Sequence, residues 1–114
     1  MPKIHCYVRT RRREWCLTQD ELAKLVGSYR QKVREIENGA TRPTADELMA
    51  FAFVFNHTAP TLFPAYTDCI QDEVMAAASQ LSIKFERDKT KNGVRKNTLL
   101  QDMLARVTSH VEYV

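Results

Sequence analysis

Apolar residues recur at helical spacing in two neighbouring short segments of the chain, and each segment ends at a glycine. The first spans about residues 18–26 and is followed by Gly27, and the second spans about residues 29–38 and is followed by Gly39. Glycine adopts the left-handed backbone conformation that ends helices, so two short helices around a tight turn are predicted. Helices this short must pack on each other and on their neighbours. Their apolar positions are Leu22, Ala23, Val26, Val33 and Ile36.

Three more helices are predicted around this pair. Helix one spans about residues 6–15, a fourth helix occupies residues 44–55, and a short fifth helix is stopped by Pro64. Helix two begins with a capping box, because Thr18 is followed three residues later by Glu21. The inner face of the fourth helix is predicted to consist of Leu48, Phe51, Ala52 and Phe55.

The second half of the chain is less regular. One amphipathic helix is predicted over residues 67–87, although the alternation within residues 82–87 also fits a strand, so both remain open there. Residues 89–96 are polar and basic, and the Asn-Gly pair at 92–93 indicates a turn. A last helix is predicted over residues 97–111. The apolar positions of the two helices are Ile70, Val74, Ala77, Leu81, Phe85, Leu99, Leu100, Met103, Leu104 and Val107.

Composition limits the class of protein. A chain of 114 residues with 44% hydrophobic residues fits one domain, or a small domain with an accessory segment. It has no apolar run of membrane-spanning length and no signal-peptide pattern, so we expect a soluble intracellular protein without a membrane partner. The spacing of Cys6, Cys16 and Cys69 indicates reduced thiols rather than a disulfide framework or a metal site, and no cofactor motif is present.

Positive charge is concentrated in the first half of the chain. Residues 1–64 hold ten Lys and Arg against seven Asp and Glu, whereas residues 65–114 hold seven of each. The net charge of +3 therefore lies entirely in the half that contains the two short helices. This asymmetry fits a polyanionic partner, although it does not identify one.

The outward face of the second short helix suggests what that partner is. Its long side chains are Tyr29, Arg30, Gln31, Lys32 and Arg34. Arginine can donate two hydrogen bonds to guanine, and glutamine can pair in the same way with adenine. A helix of this size fits the major groove of DNA. The alternative, a solvated face of a small helical protein, is equally compatible with these side chains alone.

The segment as a whole resembles the helix-turn-helix of the phage repressor and Cro-like (Xre-type) family of transcription regulators. The resemblance runs without a gap from Val8 to Phe55, and more loosely to Phe63. Each matching residue is a weak signal, but together, in order and in register, they are specific. The matching residues are Leu17, Thr18, Gln19, Leu22, Ala23, Gly27, Val33, Ile36, Glu37, Gly39, Pro43, Leu48, Ala52 and Phe55.

The resemblance also implies roles for individual residues. It implies an ion pair between Arg12 and Glu37, which joins helix one to the end of the DNA-reading helix, and a phosphate contact at Gln19. Cys16 stands where the family has Gly or another residue tolerant of a left-handed cap, so a different ending of helix one is expected. Tyr29 stands where the family has a Ser or Thr cap.

Two alternatives follow from the departure at Tyr29: Ser28 caps the helix one residue early, or the Tyr29 hydroxyl contacts a phosphate. Further phosphate contacts are predicted at Arg42, beside the end of the DNA-reading helix, and at Arg11 and Arg13. For the arginines of helix one, a purely solvated role is equally compatible with the sequence.

We therefore expect an all-α fold with two parts. Residues 1–64 are predicted to form a five-helix, repressor-like DNA-binding domain, and residues 65–114 a helical dimerisation segment. Met49 and Phe53 are large apolar residues at positions that such domains leave exposed, so the C-terminal helices or another subunit should cover them. The packing residues predicted in the C-terminal segment are Ile70, Val74, Leu81, Phe85, Leu100 and Leu104.

The predicted function is that of a cytoplasmic, nucleoid-associated regulator of transcription that represses by occluding a promoter. Activation by the same docking stays open, because the sequence does not separate the two. Such a protein would bind a near-palindromic operator in double-stranded DNA as a homodimer. The alternative is an antitoxin-type protein whose C-terminal helices bind a partner protein and whose DNA contact is autoregulatory. No catalytic constellation is visible in the sequence, so an enzyme is not expected.

Overall fold

The computed structural model describes the backbone of residues 5–112 and the side chains as far as Val107. Its regular structure is helical throughout, which confirms the all-α prediction and makes the alternative strand at residues 82–87 wrong. None of the described helices is long and apolar enough to cross a membrane. The helices are α1 (Val8–Glu14), α2 (Gln19–Leu25), α3 (Arg30–Glu37), α4 (Ala45–Phe55), α5 (Ala59–Leu62), α6 (Pro64–Arg87) and α7 (Lys91–Glu112).

The chain divides into two compact units, one ending at Cys69 and the other beginning at Ile70. The first unit contains α1 to α5, where α2 packs on α3 and α4 packs on α5. The rings of Phe51 and Phe63 lie 6.2 Å apart within its core. The apolar stripes predicted from the sequence supply most of this core, which consists of Val8, Leu22, Ala23, Val26, Val33, Ile36, Phe51, Phe55, Leu62 and Phe63.

Capping residues fix where α2 and α4 begin. The side chains of Thr18 and Thr44 each accept a hydrogen bond from the backbone N–H three residues later, and both capping boxes are complete. Gly27 and Gly39 have φ of 70° and 74°, the left-handed conformation expected after α2 and α3. The predicted helix boundaries in this part of the chain are therefore correct to within a few residues.

Cys16 corrects one expectation. Its φ is 58°, so this residue adopts the left-handed conformation that glycine adopts more easily. The expectation of a different ending for helix one is therefore wrong. Because the Leu17 N–H donates to the Arg12 carbonyl at 3.1 Å, the tight turn between α1 and α2 closes despite the side chain at Cys16.

The turn predicted at residues 92–93 lies inside a helix in the structure, so that prediction is wrong. Helix α6 begins at Pro64 itself, because proline fits the first turn of a helix, and α7 begins at Lys91 rather than near residue 97. The connection is only Asp88 to Thr90, so the Asn-Gly pair lies inside α7 and is not a turn.

Side-chain caps explain this short corner. Asp88 Oδ1 accepts from the Thr90 N–H at 3.0 Å, and the Thr90 hydroxyl accepts from the Gly93 N–H at 3.2 Å. A Cβ atom at Gly93 would lie 2.4 Å from the Asp88 backbone oxygen, so the glycine permits a close approach.

The second unit has almost no interior of its own. Ala78 is the one buried residue of α6, and the Lys96 ammonium lies 5.6 Å from the centre of the Phe85 ring. Phe85 and Leu100 are half-buried. The large apolar side chains of this unit that are exposed are Ile70, Val74, Leu81, Ile83, Val94, Leu99 and Leu104. The described part of the second unit therefore presents much of its apolar surface to solvent.

Candidate nucleic-acid interface

Helix α3 presents a row of hydrogen-bonding side chains. Arg30, Gln31 and Arg34 are exposed, and among the described residues neither guanidinium forms an ion pair. Gln31 Nε2 donates to Glu35 Oε1 at 3.1 Å, a contact between residues four positions apart along the helix surface. The buried face of α3, with Val33 inward, fixes which side points outward. Three of the four predicted base-reading residues therefore share one exposed face.

The side chain of Lys32 does not lie on this exposed face but turns towards α4. Its side chain is only 19% exposed, and its ammonium lies 3.8 Å from Glu47 Oε1 on α4. The structure therefore does not place Lys32 with Arg30, Gln31 and Arg34, and the predicted base-reading role for it is not supported by this geometry. The sequence pattern missed this because Lys32 is one residue before the buried Val33 and lies at the edge of the apolar stripe.

The start of α3 removes one of the two alternatives left open at Tyr29. Tyr29 is the N-cap residue, with extended backbone, but its side chain makes no capping hydrogen bond. Ser28 does not cap the helix one residue early, because its hydroxyl donates to Glu47 Oε2 at 2.7 Å. Tyr29 is 64% exposed, which leaves room for a phosphate to approach it, and this contact stays a prediction.

The C-terminal end of α3 is joined to the helices before it through Glu37. Arg12 Nε and Nη2 donate to the two Glu37 carboxylate oxygens at 2.6 and 3.1 Å. Arg12 Nη1 also donates to the Leu17 carbonyl at 2.8 Å. Burial raises the pKa of Glu37, but the hydrogen bonds from Arg12 and Gln19 outweigh that effect and hold the pKa below its ordinary value. The structure thus contains the pair that the resemblance implied.

Gln19 lies at the first residue of α2 and belongs to the same group. Its Nε2 donates to Glu37 Oε1 at 3.1 Å. The side chain is half-buried, so a phosphate contact would use the exposed part of the residue or the nearby backbone amides. The phosphate role of Gln19 stays a prediction.

Arg9 also reaches this group, although the sequence did not single it out. Its Nε lies 3.5 Å from Glu37 Oε1, and its Nη2 donates to Asn38 Oδ1. Arg9 and Arg12 are three residues apart on α1, which places them on one helix face, so this spacing was the signal available in the sequence.

The remaining predicted phosphate contacts lie in different surroundings. The Arg42 guanidinium lies over the Tyr66 ring, 5.2 Å from its centre. Arg11 is paired with Glu14, with Nη1 2.8 Å from Oε1, whereas Arg13 is exposed. The charge of Arg11 is therefore partly compensated in the free protein, and that of Arg13 is fully available to solvent or DNA.

The comparisons with known proteins agree with this geometry. A family model described as helix-turn-helix matches residues 11–62, which include α2, α3 and the turn between them. No significant match to a curated protein or to a solved structure is found. Residues 11–62 therefore form a DNA-binding helix-turn-helix domain of the Cro/C1-type, Xre-like kind that is found in transcription regulators.

Proposed function

We propose that this protein binds a near-palindromic operator as a homodimer and represses transcription by occluding a promoter. The observation that carries the proposal is the exposed face of α3, formed by Arg30, Gln31 and Arg34. In a helix-turn-helix, the second helix enters the major groove. There the two arginines can donate to guanine and Gln31 can pair with adenine.

Phosphate contacts would place this helix on the duplex. The candidates are Gln19, Tyr29, Arg42, Arg11 and Arg13, which lie on or between the helices of the first unit. Such contacts fix the orientation of a protein on DNA but carry no sequence information. They make binding depend strongly on salt, because each neutralised phosphate releases counterions.

The exposed apolar surface supports the homodimer. The described helices of the second unit leave their apolar stripes exposed, and amphipathic helices gain stability by burying such stripes. A second copy supplies the same stripes in a symmetric arrangement. Met49 and Phe53 on α4, 71% and 89% exposed, add apolar surface that another subunit could cover. Two copies related by a twofold axis would present two α3 helices to successive major grooves.

The experiment is selection of binding sites from a pool of random double-stranded DNA, with the mass of the free protein measured in the same buffer. We expect an inverted repeat with half-sites about one helical turn apart and a dimer in solution. Weak binding that is abolished by salt and shows no sequence preference would contradict the proposal. A monomer that becomes stable only with one other protein would favour the antitoxin-type alternative.

A further inference from the structure

Two carboxylates flank α3 in the first unit. Glu37 and Glu47 are the buried charged side chains among the described residues, 8% and 6% exposed. Glu37 is the last residue of α3, and its partners were described above. Glu47 lies on α4 and contacts residues at the opposite end of α3. Each end of the DNA-reading helix is therefore attached to a neighbouring element through a buried acid.

The contacts of Glu47 form what we term the Glu47 cluster: Ser28, Lys32, Thr44 and Glu47. Glu47 Oε2 accepts from the Ser28 hydroxyl at 2.7 Å. Glu47 Oε1 accepts from the Thr44 backbone N–H at 2.8 Å and faces the Lys32 ammonium at 3.8 Å. One carboxylate thus joins the first turn of α4, the turn before α3 and the first turn of α3.

The charge of this carboxylate persists at neutral pH. Burial raises the pKa of Glu47, but hydrogen bonds from the Thr44 backbone and the Ser28 hydroxyl outweigh burial and hold the pKa below its ordinary value. An ionised carboxylate accepts stronger hydrogen bonds than a neutral group does. The contact to Lys32 is therefore between two charged groups with little exposure.

The first turn of α3 needs such support. Its N-cap residue, Tyr29, makes no capping hydrogen bond with its side chain. A missing cap leaves the first backbone N–H groups of a helix without a side-chain partner and favours fraying. Arg30 and Gln31 are in this same turn, so any movement of it displaces the two side chains proposed to read bases.

We infer that Ser28, Lys32 and Glu47 are positioning residues, which fix the first turn of α3 and thereby set sequence discrimination by Arg30 and Gln31. Side chains held by surrounding contacts keep the geometry that direct readout requires. The inference rests on the proposed function, because it assumes that α3 reads bases. It also assigns Lys32 a role without contact to DNA.

The test uses Glu47→Gln in the 114-residue chain, with the operator selected by the unchanged protein. Glutamine can retain the capping box with Thr44, so α4 is preserved. Removal of an acid near DNA by itself strengthens binding to every sequence. The inference predicts a change in the ratio of affinities instead: discrimination against base-pair changes read by Arg30 and Gln31 falls about tenfold, which corresponds to about 1.4 kcal/mol.

Matched variants separate positioning from general damage. Glu14→Gln removes an exposed acid of α1 and should leave discrimination unchanged. Ser28→Ala should lower discrimination, and Ser28→Thr should retain it. Ser28→Ala should add little to Glu47→Gln, because both variants weaken the same contact. Each protein is compared at a temperature where circular dichroism shows it to be fully folded.

The outcomes are distinguishable. If the unchanged protein selects no sequence, the proposed function is wrong and the inference has no basis. If it selects an operator and Glu47→Gln discriminates as well as the unchanged protein does, the inference is overturned. Loss of discrimination at one base pair in Lys32→Met, with full discrimination in Glu47→Gln, would instead make Lys32 a base-reading residue.

Discussion

The pair between Arg12 and Glu37 gives the sharpest stability prediction. The Arg12 side chain is 11% exposed and the Glu37 side chain is fully buried, so this is not a surface ion pair. Arg12→Met keeps the length and apolar stem of the side chain and removes the guanidinium. The Glu37 carboxylate then keeps only Gln19 Nε2 at 3.1 Å and Arg9 Nε at 3.5 Å.

The expected loss follows from the burial of the charge that remains. Removal of one partner of a buried ion pair costs about 3–5 kcal/mol, because the other charge is left without compensation. Since Gln19 and Arg9 still compensate part of it, we expect the lower end, about 3 kcal/mol. The double variant Arg12→Met with Glu37→Met should recover much of this loss, because a buried pair replaced by apolar groups of similar volume leaves no isolated charge.

The assay is urea denaturation of the 114-residue chain, followed by circular dichroism at one fixed protein concentration. The control is Arg11→Met, which breaks the partly exposed pair with Glu14 and should cost less than about 1 kcal/mol. If Arg12→Met cost no more than Arg11→Met, or if the double variant were less stable than both single variants, the account of this pair would be refuted.

Three further predictions concern pH and two backbone positions. The pKa of Glu37 in the folded protein lies below its ordinary value of 4.5. The contribution of this carboxylate to stability is therefore complete above pH 4.5 and is lost as the pH falls below that value. Stability should decrease more steeply with falling pH in the unchanged protein than in Glu37→Gln. Cys16→Gly should raise the free energy of unfolding by about 0.5–1 kcal/mol, because relief of the left-handed strain exceeds the entropy that glycine gains in the unfolded chain; a lower urea midpoint would contradict this. Gly93→Ala should destabilise the corner between α6 and α7 by about 1–3 kcal/mol, because the added Cβ would lie 2.4 Å from the Asp88 backbone oxygen. Analytical ultracentrifugation should then show weaker self-association, and unchanged self-association would contradict this prediction.

Local patterns predicted the first unit well because its helix ends are determined by short-range chemistry. Thr18 and Thr44 form capping boxes, a pattern of residues that can be recognised in the sequence. Gly27 and Gly39 adopt the left-handed backbone conformation, as expected. The apolar stripes identified the core because a helix with a 3.6-residue period must bury one face.

Long-range side-chain contacts were less predictable. Lys32 was assigned to the DNA-reading face, but it turns towards Glu47, which is fifteen positions away in the sequence and lies on another helix. The sequence does not single out Glu47, because no local pattern shows that its carboxylate accepts from the Ser28 hydroxyl. The Asn-Gly pair at residues 92–93 has the sequence pattern of a turn, and the close approach of Gly93 to Asp88 leaves no mark in the local sequence.

The most direct test of the central claim is the base-pair preference of Arg30→Ala, measured on the selected operator and on every single base-pair variant of it. We expect the loss of discrimination, about 1–3 kcal/mol, to be confined to one position in each half-site, and Arg106→Ala, which removes an exposed arginine of α7, to leave the profile unchanged. Equal weakening of Arg30→Ala on all sequences would instead show that Arg30 contacts phosphate and that α3 does not read bases through it.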